Sequence, residues 1–151
     1  MGLDPPLLRE ISLTADQIIA HMLLAPHPEG GWYRQTWAAD NAGRPSGTCI
    51  YFLLKAGESS HWHRVDAVEI WHFHAGAPLE LRVAATDAGP AQALTLGPDL
   101  MAGQSPQLIV PMGHWQAART CGDWTLVSCT VSPGFQFSGF ELAAPGFEIP
   151  F

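Results

Sequence analysis

Near the N-terminus, apolar and polar positions follow the period of an α-helix. The apolar residues that share one helical face are Ile18, Ile19, Met22 and Leu23. Thr14, with Gln17 three residues later, has the spacing of a capping box, in which two side chains satisfy free backbone N–H groups of the first turn. Pro26 and Pro28 follow and end the pattern. The pattern predicts a helix over residues 14–24.

After the helix, short apolar and aromatic runs are separated by clusters of Gly, Pro, Asn and Asp. The runs are 31–38, 48–54, 61–65, 68–75, 79–85, 91–96, 107–110, 115–119, 124–131 and 135–142. Many short strands at this spacing are typical of a sandwich or a barrel rather than of a βαβ sheet. We therefore predict an all-β fold, with the barrel over residues 30–143, and no internal boundary divides residues 1–151 into two domains.

Composition adds a prediction about assembly. Only 14% of the 151 residues are charged, whereas 47% are hydrophobic. Soluble domains carry about 25% charged residues, so a share of this surface is expected to be covered by other protein. The simplest such arrangement is a homodimer.

Charge and cysteine content limit the partners and the compartment. A formal net charge of -7 argues against nucleic acid, because phosphate binding needs a basic face. No run of about 18 apolar residues could span a membrane, and the segment Met1–Pro6 has no features of a signal peptide. Cys49, Cys121 and Cys129 lack metal-ligand spacing. They are expected to be reduced thiols of a cytoplasmic protein.

Three potential metal ligands lie close together in the sequence. His61 and His63 are two residues apart on a predicted strand, so both are expected to point to the same face. Glu69 begins the next strand after a short turn and can lie beside them. Two imidazoles and a carboxylate suit a divalent Zn, Fe, Mn, Ni or Cu ion. The alternative is an ordinary hairpin with two polar strand residues and a solvated glutamate.

The segment from Gly57 to Gly76 resembles the first motif of the cupin superfamily, with His61-x-His63 and Glu69 in the ligand positions. The second cupin motif is a Pro-x-Gly with a histidine three residues after the glycine. Pro111-Met112-Gly113 matches it, but Gln116 stands at the histidine position. The resemblance thus places Gln116 at the fourth-ligand position, where its amide oxygen could bind a metal more weakly than imidazole, could hydrogen-bond a substrate, or could bind nothing.

Segments along nearly the whole chain resemble the type-five cupin subfamily, whose function is unknown. They are 27–33, 50–54, 63–64, 69–73, 110–111, 132–137 and 140–142. Membership implies a double-stranded β-helix, or jelly-roll barrel, that is usually a dimer and holds a pocket. The subfamily is similar in shape to the sugar-nucleotide epimerase branch of cupins and implies no particular reaction.

Several further residues are candidates for the pocket. If Glu69 points inward, alternation places Trp71 and Phe73 on the same inner face, where they would wall a ligand site or simply pack in the core. The same alternation places His72 and His74 on the opposite face. His114, in the turn before Gln116, could act as an acid or a base.

Two strands before the histidine motif offer polar side chains. Tyr33 and Arg34 are neighbours, so one of them must face inward, and Arg34 could bind a carboxylate or phosphate. Tyr51 could supply a hydroxyl as acid. Glu29 and Glu141 could pair with Arg34 or be solvated.

Three functions are compatible with these patterns. The leading hypothesis is a metal-assisted isomerase, lyase or oxygenase that acts on a carbonyl or hydroxyl compound, with His61, His63, Glu69 and Gln116 around the metal. The second is a metal-free, sugar-nucleotide-epimerase-like isomerase with His63 as base and Tyr33 or Tyr51 as acid. The third is a barrel that binds a small ligand without catalysis. The sequence has no nucleophile elbow and no phosphate loop, so serine hydrolase, kinase and dinucleotide-dependent functions are not expected.

Overall fold

The computed structural model describes residues 12–151, and the N-terminal segment Met1–Pro6 lies outside this range. The predicted helix is present as α1 (Ala15–Met22). Thr14 caps it with the predicted capping box: its hydroxyl accepts from the Gln17 backbone N–H, and the Gln17 side chain accepts from the Thr14 N–H. Leu23 ends the helix in the left-handed conformation (φ 57°).

The rest of the chain forms two antiparallel sheets. The strands are β1 (Ala25–Pro26), β2 (Trp32–Ala38), β3 (Thr48–Lys55), β4 (Ser59–Val65), β5 (Val68–Gly76), β6 (Leu79–Ala84), β7 (Gln92–Leu96), β8 (Gln107–Val110), β9 (Trp115–Thr120), β10 (Trp124–Ser132) and β11 (Phe140–Leu142). The six-stranded sheet has the order β1-β2-β3-β10-β5-β8, and the five-stranded sheet has the order β11-β4-β9-β6-β7. From β3 to β11, sequential strands alternate between the two sheets except for the neighbours β6 and β7, and the all-β prediction is confirmed.

Two details differ from the sequence pattern. The predicted run 135–142 forms a strand only at its end, because a 3₁₀ turn (Phe137–Gly139) comes first. The short edge strand β1 contains Pro26, which the pattern treats as a helix terminator. Proline is tolerated there because β1 is an edge strand with a neighbour on one side only.

The interior of the barrel divides into a packed half and an open half. On β3, the inward residues Phe52 and Leu54 belong to the main core, whereas Thr48 and Ile50 line a cavity. The same division runs along β5 and β10, so the inward residues of one strand, which are two positions apart, line the cavity at one end and pack in the core at the other. The remaining members of the main core are Trp71, Leu79, Leu81, Leu96, Val110, Ala118, Val127 and Cys129.

Helix α1 covers part of the outer face of the six-stranded sheet. Ile18 and Leu24 pack with Leu53, which points away from the barrel interior, and with the partly buried Trp124. In the part of the chain from residue 12 onward, no helix is long and apolar enough to cross a membrane.

Candidate functional site

The candidate site is the cavity in the open half of the barrel, with a volume of about 140 Å³. Its polar end is formed by His27, Glu29, His63, Glu69 and Cys129. Its walls and mouth are formed by Tyr33, Gln35, Thr48, Ile50, Val65, Val131, Phe135 and Phe137. All of these residues belong to the described range, and none of them is a lysine or an arginine. The cavity therefore combines ionisable groups with an apolar wall, which is typical of small-molecule sites.

Glu29 reaches the cavity because two glycines follow it. Gly30 (φ 105°) and Gly31 (φ 77°) both have the positive φ that side chains rarely adopt. A Cβ atom on Gly30 would lie 2.1 Å from the backbone oxygen of Ser59, so the turn packs directly on the start of β4. The Glu29 backbone oxygen accepts a hydrogen bond from the His61 N–H (2.8 Å). This contact fixes the segment against β4 and directs the Glu29 side chain inward.

The Glu29 carboxyl lies between two imidazole rings. Its Oε1 is 3.2 Å from Nδ1 of His27, and its Oε2 is 3.4 Å from Nε2 of His63. The Ser60 hydroxyl donates a short hydrogen bond to Oε2. Only 9% of the Glu29 side chain is exposed. The carboxyl is thus enclosed by groups that can exchange a proton with it.

Hydrogen bonds define which nitrogen of each ring carries a proton when the ring is neutral. His27 Nδ1 accepts from the Glu29 backbone N–H (3.1 Å), so the lone pair of this nitrogen is already engaged and its proton is on Nε2. His63 Nδ1 lies 2.7 Å from the backbone oxygen of His61, which can only accept, so Nδ1 is protonated and Nε2 presents the lone pair. His63 Nε2 is therefore the free acceptor that faces the Glu29 carboxyl, and a protonated carboxyl can donate to it.

Burial raises the pKa of the Glu29 carboxyl and lowers the pKa values of the two imidazoles, in agreement with these hydrogen bonds. Desolvation raises the pKa of Glu29 to about 8, although the Ser60 hydrogen bond opposes the shift. Desolvation lowers the pKa of His27 to about 4, with a contribution from the neighbouring His63. The pKa of His63 is lowered as well, chiefly by burial. At neutral pH, Glu29 is accordingly protonated and both imidazoles are neutral.

Glu69 forms the second acidic group and is held by a buried amide. The Gln116 Nε2 donates to Glu69 Oε1 (2.8 Å), while the Gln116 Oε1 accepts from the Trp71 indole N–H (2.8 Å). Since an indole can only donate, Trp71 fixes the orientation of the amide. Burial is the largest cause that raises the pKa of Glu69 to about 7, and it outweighs the attraction of the nearby His63. Glu69 thus changes its charge close to neutral pH.

The structure does not bring His61 together with His63 and Glu69. Strand β4 pairs Ser60 with Ala118 of β9, but His63 with Gln116, so β4 contains one extra residue at a β-bulge. The bulge places Ser60 and His63 on the inner face and reverses His61. The His61 Nε2 instead donates to the backbone oxygen of Ala144 (2.8 Å). The expectation that His61 and His63 share one face is therefore wrong.

The predicted metal ligands do not fit a metal centre. His61 faces a shallow cleft on the outer side of the five-stranded sheet, beside Glu80 and Arg82. Both ends of the Gln116 amide are already used by Trp71 and Glu69. Within residues 12–151, no three His, Cys, Asp or Glu side chains are grouped so that they could hold one metal ion.

Of Tyr33, Arg34 and Tyr51, only Tyr33 lines the cavity. Its ring centroid lies 4.5 Å from that of His27. Arg34 is exposed and donates to the backbone oxygen of Met22 (2.7 Å), which ties β2 to the end of α1. Tyr51 packs against His74 (5.9 Å between ring centroids) on the outer face of the six-stranded sheet. A ligand in the cavity would therefore contact Tyr33 and not the other two residues.

The remaining predicted residues lie outside the cavity lining. Trp71 is 1% exposed and packs in the main core, with Phe73 beside it. His114 lies in a shallow groove near Val83 and Ile109, and its buried Nδ1 has no hydrogen-bond partner among the described residues. Opposite to Glu69, as alternation predicts, His72 contacts the Thr130 hydroxyl (3.3 Å). Trp71 and Phe73 thus pack in the core, which is the alternative to their walling a ligand site.

Four residues that form the polar end of the cavity or contact it are not predicted from the sequence as members of the site: His27, Glu29, Ser60 and Cys129. His27 and Glu29 precede the predicted barrel, and only the Gly30-Gly31 pair that follows them signals a backbone that must approach another strand closely. Glu29 does not pair with Arg34 and only 9% of its side chain is exposed to solvent, in contrast to both expectations for it. Glu141, by contrast, pairs with Arg64 (2.6 Å) on the surface.

Comparisons with known proteins give a consistent result. Residues 16–143 match the family described as Cupin superfamily (DUF985). A crystal structure of a protein from Shewanella oneidensis shares 40% identity with a TM-score of 0.83, over 88% of this chain and 86% of that chain. A hypothetical protein from Leishmania major shares 30% identity with a TM-score of 0.82, over 89% and 90% of the two chains. No curated protein matches the chain.

A more distant structure supports the fold. Oxalate decarboxylase from Bacillus subtilis superimposes with a TM-score of 0.60 at 12% identity, over 78% of this chain and 29% of that chain. At this identity the likeness shows the fold alone, and it confirms the predicted double-stranded β-helix. The family match covers most of the chain and two relatives agree with it over nearly their whole length. The chain therefore belongs to the cupin superfamily, in the family described as DUF985.

Proposed function

We propose that this chain is a small-molecule enzyme that moves a proton on an uncharged carbonyl or hydroxyl compound by acid–base catalysis. The single observation that carries the proposal is the enclosed Glu29 carboxyl 3.4 Å from His63 Nε2, a ring nitrogen with a free lone pair. Catalytic proton transfer needs an acid and a base within hydrogen-bond reach of the same substrate. The open cavity beside this group provides the space for such a substrate.

His63 is the proposed base and Glu29 the proposed acid. Nε2 of His63 takes a proton from the carbon next to a carbonyl, and Glu29 donates its proton to the carbonyl oxygen. The product of this step is an enediol or enol, with an imidazolium and a carboxylate left 3.4 Å apart at His63 and Glu29. Their mutual attraction stabilises the step in a buried site. For an enediol, the His63 imidazolium returns its proton to the former carbonyl carbon and the other hydroxyl gives its proton to the Glu29 carboxylate, which completes an isomerisation and restores both groups.

The chemistry of the lining favours an uncharged substrate. The cavity contains two carboxyl groups, Glu29 and Glu69, and no lysine or arginine lines it among the described residues. Phosphate and carboxylate groups are normally bound by such cations. This argues against the sugar-nucleotide alternative, whose substrate carries a diphosphate. A cavity of about 140 Å³ is also small compared with typical ligand pockets of about 300–1,000 Å³.

The proposed reaction can be tested by hydrogen exchange in D₂O. Hydroxyacetone and 3-hydroxy-2-butanone are small uncharged probes with protons next to a carbonyl, and ¹H NMR follows the replacement of these protons by deuterium. We expect the protein to accelerate exchange. We expect Glu29→Gln and His63→Gln to lose about 100-fold or more of the acceleration, in line with the contribution of general acids and bases.

His61→Gln is the matched control, because the His61 ring lies outside the cavity. It should keep the exchange rate of the unmodified protein. Exchange no faster than in buffer for both probes, with chemical shifts that show binding, would favour a ligand-binding barrel without catalysis. Exchange that is retained in His63→Gln would contradict the assignment of the base.

A further inference from the structure

One side of the mouth of the cavity is formed by a segment that we define as the lid, residues 133–139. Phe135 and Phe137 project from it into the cavity lining. Their rings pack edge to face with centroids 5.0 Å apart, and the Phe137 ring lies 6.2 Å from that of His27. Phe137 is nevertheless 54% exposed. One side of its ring thus faces the cavity while the other faces solvent.

The start of the lid is tied to the loop between β2 and β3. Gly134 donates its N–H to the Pro45 backbone oxygen (2.7 Å) and accepts from the Arg44 Nε (2.7 Å). The next N–H, of Phe135, donates to the Thr48 hydroxyl (2.9 Å). A Cβ atom on Gly134 would lie 2.8 Å from the Pro45 oxygen, so the approach depends on glycine.

The end of the lid is tied to the turn between β4 and β5. The Asp66 N–H donates to the Gly139 backbone oxygen (3.1 Å). The Asp66 carboxylate in turn accepts two hydrogen bonds from Arg44, at 2.7 and 3.1 Å. Arg44 therefore connects both ends of the lid, one directly and the other through Asp66.

Between these ties, the backbone of the lid is held only locally. The hydrogen bonds of the 3₁₀ turn run from the Gly139 N–H to Gln136 and from the Phe140 N–H to Phe137. The turn can move as a unit without breaking a ladder hydrogen bond of either sheet. Segments with few long-range hydrogen bonds open at low free-energy cost.

We propose that Phe137 is the gate of the cavity and limits the size of the molecule that it admits, and that the Arg44–Asp66 ion pair latches the lid that carries this ring. The cavity is that of the proposed enzyme, but the gate requires no particular reaction. A test of access alone therefore separates failure of the gate from failure of the proposed acid–base chemistry.

Cys129 provides the readout, because it lines the cavity behind the lid and is only 2% exposed. In the full-length chain, Cys49→Ala and Cys121→Ser leave Cys129 as the single thiol. Its modification is followed by intact mass with a small reagent, methyl methanethiosulfonate, and with a bulky one, N-phenylmaleimide. Urea unfolding of each variant, measured in parallel, separates opening of the lid from global unfolding.

Phe137→Ala should raise the rate of Cys129 modification about tenfold or more and should admit the bulky reagent, since local opening no longer has to displace the ring. Arg44→Gln should raise the rate of the small reagent up to about fivefold, as expected for loss of a partly exposed ion pair. Phe151→Ala and Arg119→Gln are matched controls: Phe151 is an exposed phenylalanine (67%) and Arg119 pairs with Glu80 (3.3 Å), both outside the lid.

The proposal is overturned if Cys129 is modified no faster in Phe137→Ala than in the single-thiol protein without that substitution. It is also overturned if the modification rates of both lid variants rise only in proportion to a loss of global stability. A rate increase in Phe137→Ala, without one in Arg44→Gln, would support the gate and overturn the latch. Equal increases in the lid variants and their matched controls would also overturn the proposal.

Discussion

Glu29 and Glu69 are carboxyl groups that keep their protons at a pH where most carboxyl groups have lost them. Their pKa values are raised to about 8 and about 7 from an ordinary value of 4.5, with burial as the largest cause. The folded protein thus binds protons that the unfolded chain releases, and this difference makes folding less favourable as the pH rises. The two buried histidines act in the opposite direction below pH 6.5, because their lowered pKa values keep them neutral in the folded state.

We therefore expect the free energy of unfolding to decrease between pH 6.5, where the histidine contributions end, and pH 8, where Glu29 ionises. Each carboxyl contributes up to about 1.4 kcal/mol per pH unit. Glu29→Gln should reduce this slope by roughly 1 kcal/mol per pH unit, since the amide cannot ionise but its nitrogen can still donate to His63. Urea unfolding across this pH range measures both slopes. An identical slope in the variant would show that Glu29 has no raised pKa.

At the residue scale, the sequence predicts His63 and Glu69 as members of the candidate site but does not predict Glu29, the buried carboxyl group beside His63. His63 and Glu69 follow from a motif and from strand alternation. Glu29 lies on an irregular segment before β2, where no periodic pattern specifies the direction of a side chain. Its burial depends on contacts with β4, a strand that begins 30 residues later in the chain.

At the scale of the elements, the turn at Gly30 is what places Glu29 in the barrel. Gly30→Ala would add both backbone strain and a collision with the Ser59 backbone oxygen, 2.1 Å away. Gly57→Ala is the matched control, because Gly57 has a similar positive φ of 82° but no heavy atom within 4 Å of the added Cβ. We expect a loss of unfolding free energy of about 1 kcal/mol for Gly57→Ala and about 2–4 kcal/mol for Gly30→Ala.

Urea unfolding of both variants measures the two losses. Equal losses would mean that the close packing of the Gly30 turn on β4 contributes nothing to stability. If Gly30→Ala folds, loss of exchange activity at near-normal stability would further indicate that the turn positions Glu29.

Most elements follow from alternation, but the bulge in β4 does not. Capping residues and apolar spacing predict α1, and polar breaks predict nearly every strand. No residue type in the sequence signals the extra residue of this bulge, because the bulge results from pairing with the neighbouring strand. That single residue reverses His61 and removes the predicted three-ligand cluster. In the lid, aromatic residues suggest a strand, whereas packing of Phe135 and Phe137 over the cavity requires a turn.

At the scale of the whole molecule, the barrel holds its chemistry because only half of its interior is filled. Large residues such as Phe52, Trp71 and Leu81 pack one half, and the other half keeps a cavity whose polar end is shielded from water. Shielding raises the pKa of an acid and lowers that of a base, so it creates the protonated Glu29 beside a neutral His63. The homodimer indicated by the low charge content stays a prediction.

The protonation state of Glu29 at neutral pH is the central claim, and carboxyl NMR measures it directly. In uniformly ¹³C-labelled protein, the side-chain carboxyl signal that is missing from Glu29→Gln belongs to Glu29. The structure predicts that this signal titrates with a midpoint of about pH 8. A midpoint near the ordinary value of 4.5 would mean that the group is already a carboxylate at neutral pH, and it would contradict the assignment of Glu29 as the acid.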